Sequence, residues 1–273
     1  MSPASAPDPI ASAGNASSAL VRVVNLSKEF PAGSTGIVGG TKLSIKAVAG
    51  VNLEIQPGET LGLVGESGSG KSTLGRLILK LLEPTQGTVY FDGRDLSTLG
   101  RVELRTLRQQ MQLVFQDPYA SLNPRRTIRG VLRELLRVHE LASGPAIEAR
   151  CVELMALVGL PPAALERRPA AFSGGQRQRI AIARTLAAEP SVIVLDEPLA
   201  SLDASAQAQL ANLLVSLSRE LGLGLLLISH DLAIVRHVAD SVSVMYLGLM
   251  VEQGETRSLW ELPLHPYSEA LIK

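Results

Sequence analysis

The alternation of apolar and polar residues becomes regular near Leu20 and predicts strands in the N-terminal part of the chain. Leu20 to Phe30 alternates as a half-buried strand does. Ile45 to Ile55 is a second strand region, interrupted by Gly50. A turn at residues 56–58 then leads into a continuous apolar run, Leu61 to Val64. Such a run between turn residues is typical of a strand that is buried on both faces.

Beyond Val64 the apolar spacing changes to that of a helix. Apolar residues at helical spacing predict one buried face that ends before Pro84: Leu74, Leu77, Ile78, Leu81 and Leu82. Gly87 to Gly93 then predicts a strand of a hairpin, Val102 to Leu107 a short helix, and Met111 to Phe115 a strand that ends at Gln116.

From Thr127 to about Pro169 the pattern predicts helices and no strands. One helical face is formed by Ile128, Val131, Leu132, Leu135 and Leu136, and another by Val152, Met155, Ala156 and Leu157. We therefore expect a helical subdomain, at about residues 120–172, inserted into an α/β core.

The second half of the chain alternates predicted helices and strands. Ser173 is placed to cap a helix that runs through Ala188. The later elements are strands at Ser191 to Leu195 and Leu225 to Ile228, and helices at Ala204 to Glu220 and Leu232 to Val238. This order predicts a mostly parallel, doubly wound sheet that binds ligands at the carboxyl ends of its strands. Gly65, Gln116, Asp196 and His230 each follow a strand and should converge there.

The chemistry begins in the segment between the buried strand at Leu61 to Val64 and the helix that follows. Gly65 to Ser72 reads GESGSGKS and fits the phosphate-loop pattern G-x-x-x-x-G-K-[ST]. Glycines leave room for backbone N–H groups to surround phosphate oxygens, and the helix N-terminus adds its positive dipole end. Lys71 would bind the β- and γ-phosphates, and the Ser72 hydroxyl would bind a bridging Mg2+. A glycine-rich turn without a ligand is the alternative.

Polar residues at three other strand ends extend this site. Asp196 could hold the metal and Glu197 could polarise an attacking water. His230 suits a hydrogen bond to the γ-phosphate, and Gln116 could bind Mg2+ or its water. The alternatives are surface charge for the carboxylates, a core or solvated histidine, and an amide that caps a turn.

A second anion-binding loop lies at residues 173–176, where serine and two glycines begin a helix. One nucleotide cannot easily use two such loops in one compact domain. A head-to-tail dimer, in which the second loop of each chain closes on the first loop of the other, accounts for both.

Composition narrows the choice of partners. The 273 residues contain 26 Lys and Arg against 26 Asp and Glu, which gives no argument for nucleic acid or for an anionic membrane surface. The single cysteine, Cys151, excludes a multi-thiolate metal site and is expected in a helix core. Residues 1–19, rich in Ala, Ser and Pro, predict a disordered tail rather than a secretory signal. The apolar runs are too short to span a bilayer, so if this protein works at a membrane, other subunits must span it.

The motifs and their order resemble those of an ABC transporter ATPase. They are GESGSGKST, Gln116, FSGGQ, VIVLDEP, the SLD of Ser201 to Asp203, and His230. The segments VFQDPYASLNPRRTI, QRQRIAIARTLAAEP and HPYSEAL resemble the oligopeptide, dipeptide and nickel importer branch. The resemblance implies one ABC ATPase domain over residues 20–273, with a C-terminal family segment at about 256–273. Its fold would be an α/β P-loop ATPase core with a mostly parallel sheet, an antiparallel β subdomain and an inserted helical subdomain.

The resemblance also implies a role for each matching residue. Phe30 would stack on adenine. Phosphates would be bound by Gly65, Glu66, Ser67, Gly68, Ser69, Gly70, Lys71, Ser72 and Thr73. The partner's ATP would be contacted by Ser173, Gly174, Gly175 and Gln176. Mg2+ would be bound by Ser72, Gln116 and Asp196, while Glu197 and His230 would be catalytic and Asp203 would contact the dimer partner. Two departures from the family pattern are Phe172 before the signature and the order Ala200-Ser201 in the D-loop.

The implied function is ATP hydrolysis that drives import, with ATP and Mg2+ as cofactors. The partners would be transmembrane permeases, a second ATPase subunit in a head-to-tail dimer and, indirectly, an extracytoplasmic solute-binding protein; the location would be peripheral, on the cytoplasmic face of the membrane. A non-transport complex built on an ABC ATPase is the alternative, and a simple P-loop kinase is a weaker one because it leaves FSGGQ unexplained.

Overall fold

Two β-sheets form the framework of the computed structural model, which describes residues 19–34, 42–115 and 122–273. The strands are β1 (Val21–Ser34), β2 (Lys42–Ile55), β3 (Thr60–Val64), β4 (Gln86–Phe91), β5 (Arg94–Asp95), β6 (Met111–Val114), β7 (Val192–Asp196), β8 (Gly224–Ile228), β9 (Ser241–Tyr246) and β10 (Leu249–Glu255). A four-stranded antiparallel sheet has the order β2-β1-β4-β5, and a six-stranded sheet has the order β10-β9-β3-β8-β7-β6. In the larger sheet only the pair β9 and β10 is antiparallel.

Helices cover both faces of the larger sheet. They are α1 (Lys71–Ile78), α2 (Arg101–Gln110), α3 (Ile128–Val138), α4 (Ala146–Leu157), α5 (Gly174–Leu186), α6 (Ala204–Leu221), α7 (Leu232–Val238), α8 (Thr256–Glu261) and α9 (Pro266–Ile272), with 3-10 turns at Pro162–Glu166 and Pro169–Ala171. The predicted α/β core with a mostly parallel sheet and an antiparallel β-sheet is confirmed.

The larger sheet separates two hydrophobic cores, as strand β7 shows. Val192 and Val194 pack with α1 and the antiparallel sheet, whereas Ile193 and Leu195 pack with the helices on the other side. All four side chains are at most 2% exposed. A strand with two buried faces has no polar face to display, which is why it reads as a continuous apolar run.

The stretch from Ile128 to Ala171 contains helices and no strand, as predicted. Ion pairs tie these helices together: Arg129 pairs with both Glu148 and Glu166, and Arg133 also pairs with Glu148. These ion pairs therefore connect the helices outside the hydrophobic core that the helices share.

Two predicted helix faces are wrong in part. Helix α1 ends at Ile78, and the chain turns through a left-handed backbone at Lys80, so Leu81 is 48% exposed instead of continuing the buried face. In α4 the buried residues are Ile147, Cys151, Leu154 and Met155, whereas Val152 is 39% exposed. This helix carries two overlapping apolar faces, and its packing against α3 and α5 selects one. The burial of Cys151 is confirmed.

Candidate functional site

The phosphate loop lies between β3 and α1, as predicted, and its backbone requires glycine at two positions. Gly65 has φ 147° and Gly70 has φ 107°. A Cβ atom on Gly65 would lie 2.1 Å from the carbonyl oxygen of Met245, and one on Gly70 would lie 2.1 Å from the carbonyl oxygen of Ala47. The loop is therefore enclosed by β2 on one side and β9 on the other.

Lys71 is held inside this loop. Its side chain is buried, and Nζ donates hydrogen bonds to the carbonyl oxygens of Gly65 and Glu66, both at 2.7 Å. Burial lowers the pKa of Lys71 from its usual value, while the carboxylates of Glu197, Asp196 and Glu66 oppose that shift. The ammonium group therefore lies among the acidic residues that the sequence assigned to the same site.

Ser72 and Asp196 come from separate parts of the chain and meet at the start of α1. The Ser72 hydroxyl donates to Oδ1 of Asp196 at 2.8 Å. Asp196 is the last residue of β7, whose position two strands from β3 in the sheet makes this contact possible. The expected convergence of the phosphate loop and Asp196 is confirmed.

Glu197 and His230 form the next pair along the same sheet edge. Nδ1 of His230 lies 3.2 Å from Oε1 of Glu197, and their side chains are 59% and 23% exposed. Glu197 has φ 50°, a conformation uncommon for a residue with a side chain, and its N–H donates to the carbonyl of Ile228 at 3.0 Å. This turn fixes the carboxylate against β8 and directs it towards the histidine.

The loop at Ser173 is built as a helix cap. The Ser173 hydroxyl accepts from the N–H of Gln176, whose side chain accepts in turn from the N–H of Ser173. A Cβ atom on Gly174 would lie 3.3 Å from Leu202, and one on Gly175 would lie 3.0 Å from Ala206. The loop therefore packs against the start of α6.

Asp203 caps α6 in the same neighbourhood, because its carboxylate accepts from the N–H of Ala206 at 2.9 Å. The structure thus brings Asp203 beside residues 173–176. In the part of the chain that the structure describes, no hydrogen bond joins residues 173–176 to residues 65–73.

The remaining predicted residues have different outcomes. Phe30 lies on β1 opposite Ile45 and is 36% exposed, with Nζ of Lys28 5.3 Å from the ring centroid. Ile45 is two residues from Ala47, whose carbonyl touches Gly70, so Phe30 lies on the strand pair beside the phosphate loop.

Gln116 lies outside the described residues, as do residues 1–18 of the predicted tail.

Sequence reasoning missed a side-chain contact to the phosphate loop. The hydroxyl of Tyr267, in α9, accepts a hydrogen bond from the N–H of Glu66 at 2.9 Å. The signal was the segment HPYSEAL, which pointed to a family branch but to no role in the site.

Comparison with known proteins decides the family. Residues 48–200 match the family model described as ABC transporter. The chain belongs to the ABC transporter family. It is 46% identical over 254 residues to the oligopeptide transport ATP-binding protein AppF of Bacillus subtilis, covering 93% of this chain and 77% of AppF. It is 48% identical over 253 residues to the glutathione import ATP-binding protein GsiA of Escherichia coli K12, covering 93% of this chain but only 40% of GsiA.

A solved structure supports the same assignment. The ATP-binding cassette MJ0796, in a dimeric post-hydrolysis state bound to ADP and Pi, superposes with a TM-score of 0.74 at 31% identity, covering 87% of this chain and 99% of MJ0796. The chain is thus an ABC-type ATPase that binds and hydrolyses ATP. Across residues 19–34, 42–115 and 122–273, no helix has the length and apolar character needed to cross a bilayer.

Proposed function

We propose that this ABC ATPase powers an importer of peptides or of a related small solute such as nickel. The observation that carries the proposal is the identity of 46% to AppF and 48% to GsiA over 93% of the chain. Their printed names describe oligopeptide transport and glutathione import, and glutathione is itself a small peptide.

In this proposal each ATP lies between two ATPase subunits. Residues 65–73 of one subunit bind its phosphates, Phe30 stacks on its adenine, and residues 173–176 and Asp203 of the other subunit close the site. Among the described residues no hydrogen bond joins the two loops of one chain, which supports the head-to-tail arrangement, and so does the dimeric state of MJ0796. The second subunit is an identical or a related chain.

Mg2+ fits the residues that meet at the start of α1. Hydroxyl and carboxylate oxygens are the ligands that this hard cation prefers, and the Ser72 Oγ to Asp196 Oδ1 distance of 2.8 Å brings one of each together. Ser72 and Asp196 would hold the ion, with Gln116 as a further ligand. When bound, Mg2+ neutralises charge on the phosphate oxygens.

Three side chains of the chain itself have separate roles in the proposed reaction. Lys71 supplies positive charge to the β- and γ-phosphates. Glu197 orients the attacking water, and His230 donates a hydrogen bond to the γ-phosphate. The contact of 3.2 Å between Glu197 and His230 supports their action as a pair.

The chain would act as a peripheral subunit on the cytoplasmic face of the membrane. It would bind transmembrane permeases directly and an extracytoplasmic solute-binding protein only through them. The helices from residue 128 onwards would contact the permease.

Isolation of the tagged chain from detergent-solubilised membranes of its native host tests this proposal. We expect multi-span permeases, a second ATPase subunit and a peptide-binding or nickel-binding protein encoded with them to co-purify. A matched isolation with Lys71→Ala controls for the need for nucleotide. Recovery in a complex without any multi-span protein would contradict the importer and support the non-transport alternative.

A further inference from the structure

We propose that Tyr267 is a positioning residue for the phosphate loop, through which helix α9 sets the affinity for nucleotide. The inference rests on the proposed role of residues 65–73 in binding phosphates. Tyr267 touches the backbone of the loop rather than the reacting groups, so its effect would be exerted through Glu66.

Glu66 occupies a central place in the loop's own hydrogen bonds. Its carbonyl accepts from Nζ of Lys71 at 2.7 Å and from the N–H of Ser69 at 3.2 Å. Its N–H donates to the hydroxyl of Tyr267, which lies 201 residues further along the chain. One residue therefore links the loop lysine on one side to the C-terminal helix on the other.

The Tyr267 side chain is itself held from several directions. Its ring packs against the ring of Tyr246 at an angle of 38°, with 4.3 Å between ring centroids, and Tyr246 ends β9, the strand that borders the loop. The backbone N–H of Tyr267 donates to Nδ1 of His265 at 3.1 Å. The Glu252 carboxylate accepts from the N–H groups of Leu264 and His265, at 2.8 and 3.0 Å. The ring contact and these hydrogen bonds therefore hold the segment around Tyr267 in place, with its hydroxyl against Glu66.

The Tyr267 hydroxyl has one protonation state in its hydrogen bond to Glu66 at physiological pH. Burial raises the pKa of Tyr267 above its usual value, so the phenol stays neutral at physiological pH. Glu66, Ser67 and Gly68 are exposed, and glycine-containing loops lose much conformational freedom when they bind a ligand. A fixed Glu66 reduces that loss before nucleotide arrives, because part of the loop is already ordered.

The test compares Tyr267→Phe with the control Tyr246→Phe in the full chain. Each variant loses one hydroxyl and keeps the packed rings, but only the first loses the bond to Glu66. We expect Tyr267→Phe to weaken ATP and ADP binding about three- to tenfold, the loss of one hydrogen bond. In the assembled ATPase, KM for ATP should rise by the same factor while kcat stays within about twofold. Tyr246→Phe should change neither.

Amide hydrogen exchange of the nucleotide-free wild type provides a measurement that does not depend on how a variant folds. In the wild type the Glu66 N–H should be protected from exchange. As a second measurement, Tyr267→Phe should accelerate exchange of this amide while leaving exchange in β3 and α1 unchanged. Exchange of this amide at the rate of a free loop would overturn the inference.

The outcomes separate this inference from the proposed function. If the wild type binds ATP and Tyr267→Phe binds it equally well, the positioning role is wrong and the proposed function stands. If both tyrosine variants lose affinity to the same extent, general loosening of the segment explains the loss and the inference fails. If the wild type binds no nucleotide at all, the proposed site fails, and the inference fails with it.

Discussion

The two loops of this ATPase that are proposed to bind anions are built in different ways. The loop at residues 65–72 is enclosed by β2 and β9, and its lysine is 5% exposed. Bonds from distant parts of the chain reach it: Asp196 contacts Ser72 and Tyr267 contacts Glu66. The loop at Ser173 instead closes on itself through the reciprocal cap with Gln176.

This difference indicates what each loop can do alone. The first is organised by its own chain, so it can present a formed phosphate site to a nucleotide. The second is an ordered helix start whose glycines lie against Leu202 and Ala206, and in the proposed dimer its ligand comes from a second subunit. Variants of the first loop should therefore affect the isolated chain, whereas variants of the second should affect only the assembled ATPase.

The largest expected effect is on turnover, from Glu197→Gln. The amide keeps the size of the side chain but removes the carboxylate that is proposed to orient water, so kcat should fall by about 100-fold or more. ATP binding and closure of the dimer should persist. Steady-state hydrolysis in the assembled transporter, with ATP binding measured in parallel, checks this. Hydrolysis near the wild-type rate would contradict the role of Glu197.

Next in size is the loss of nucleotide affinity in Lys71→Ala. In the proposed site Lys71 contacts two phosphates, so its removal should weaken ATP binding by at least about 100-fold, since each charge-assisted hydrogen bond contributes roughly 1.5–3 kcal/mol. Calorimetric titration of the isolated chain measures it. Lys273→Ala, which removes a lysine whose side chain is 73% exposed, is the control. Unchanged affinity in Lys71→Ala would refute the phosphate-loop assignment.

The variant Ser173→Asp tests whether the two loops act separately. Aspartate caps a helix as well as serine does, so α5 should remain stable, but its charge would repel the phosphates of the partner's ATP. Hydrolysis and ATP-dependent dimerisation should fall about tenfold, while ATP affinity of the isolated monomer stays at the wild-type value. Ser173→Thr, which keeps a neutral cap, is the matched control. Loss of ATP affinity in the monomer would show that the two loops are not separate.

The smallest expected effect concerns the segment that supports Tyr267. Burial acts to raise the pKa of Glu252, but hydrogen bonds from Leu264 and His265 outweigh it, and the pKa lies below the ordinary value of 4.5. A lowered folded pKa means that this carboxylate stabilises the fold above about pH 4.5 and that the contribution is lost as pH falls through the folded pKa.

Glu252→Gln should accordingly reduce the free energy of unfolding by about 0.5–1 kcal/mol at pH 7, because a partly exposed carboxylate is screened by water. The difference from wild type should shrink as the pH falls below about 4.5. Urea unfolding at pH 7 and at about pH 3 measures it. A difference that is the same at both pH values would show that the charge of Glu252 contributes nothing.

Local pattern predicted the elements well where a single cause decided them. The run from Leu61 to Val64 is a strand because it is buried on both faces, and Ser173 is a cap because its hydroxyl can reach Gln176 within one turn. It failed where two faces competed, as in α4, and where a backbone turn at Lys80 ended α1 before its apolar pattern did.

By itself, then, the sequence determined most of the strands and helices up to Val238, the two loops proposed to bind anions and the resemblance to ABC ATPases, because spacing and residue type act over a few residues. Only the tertiary structure decided which distant groups meet. Asp196 reaches Ser72 across 124 residues, and Tyr267 reaches Glu66 across 201. Such contacts depend on strand order and on how the C-terminal helix packs against the sheet edge, and neither is encoded in the spacing of any one segment.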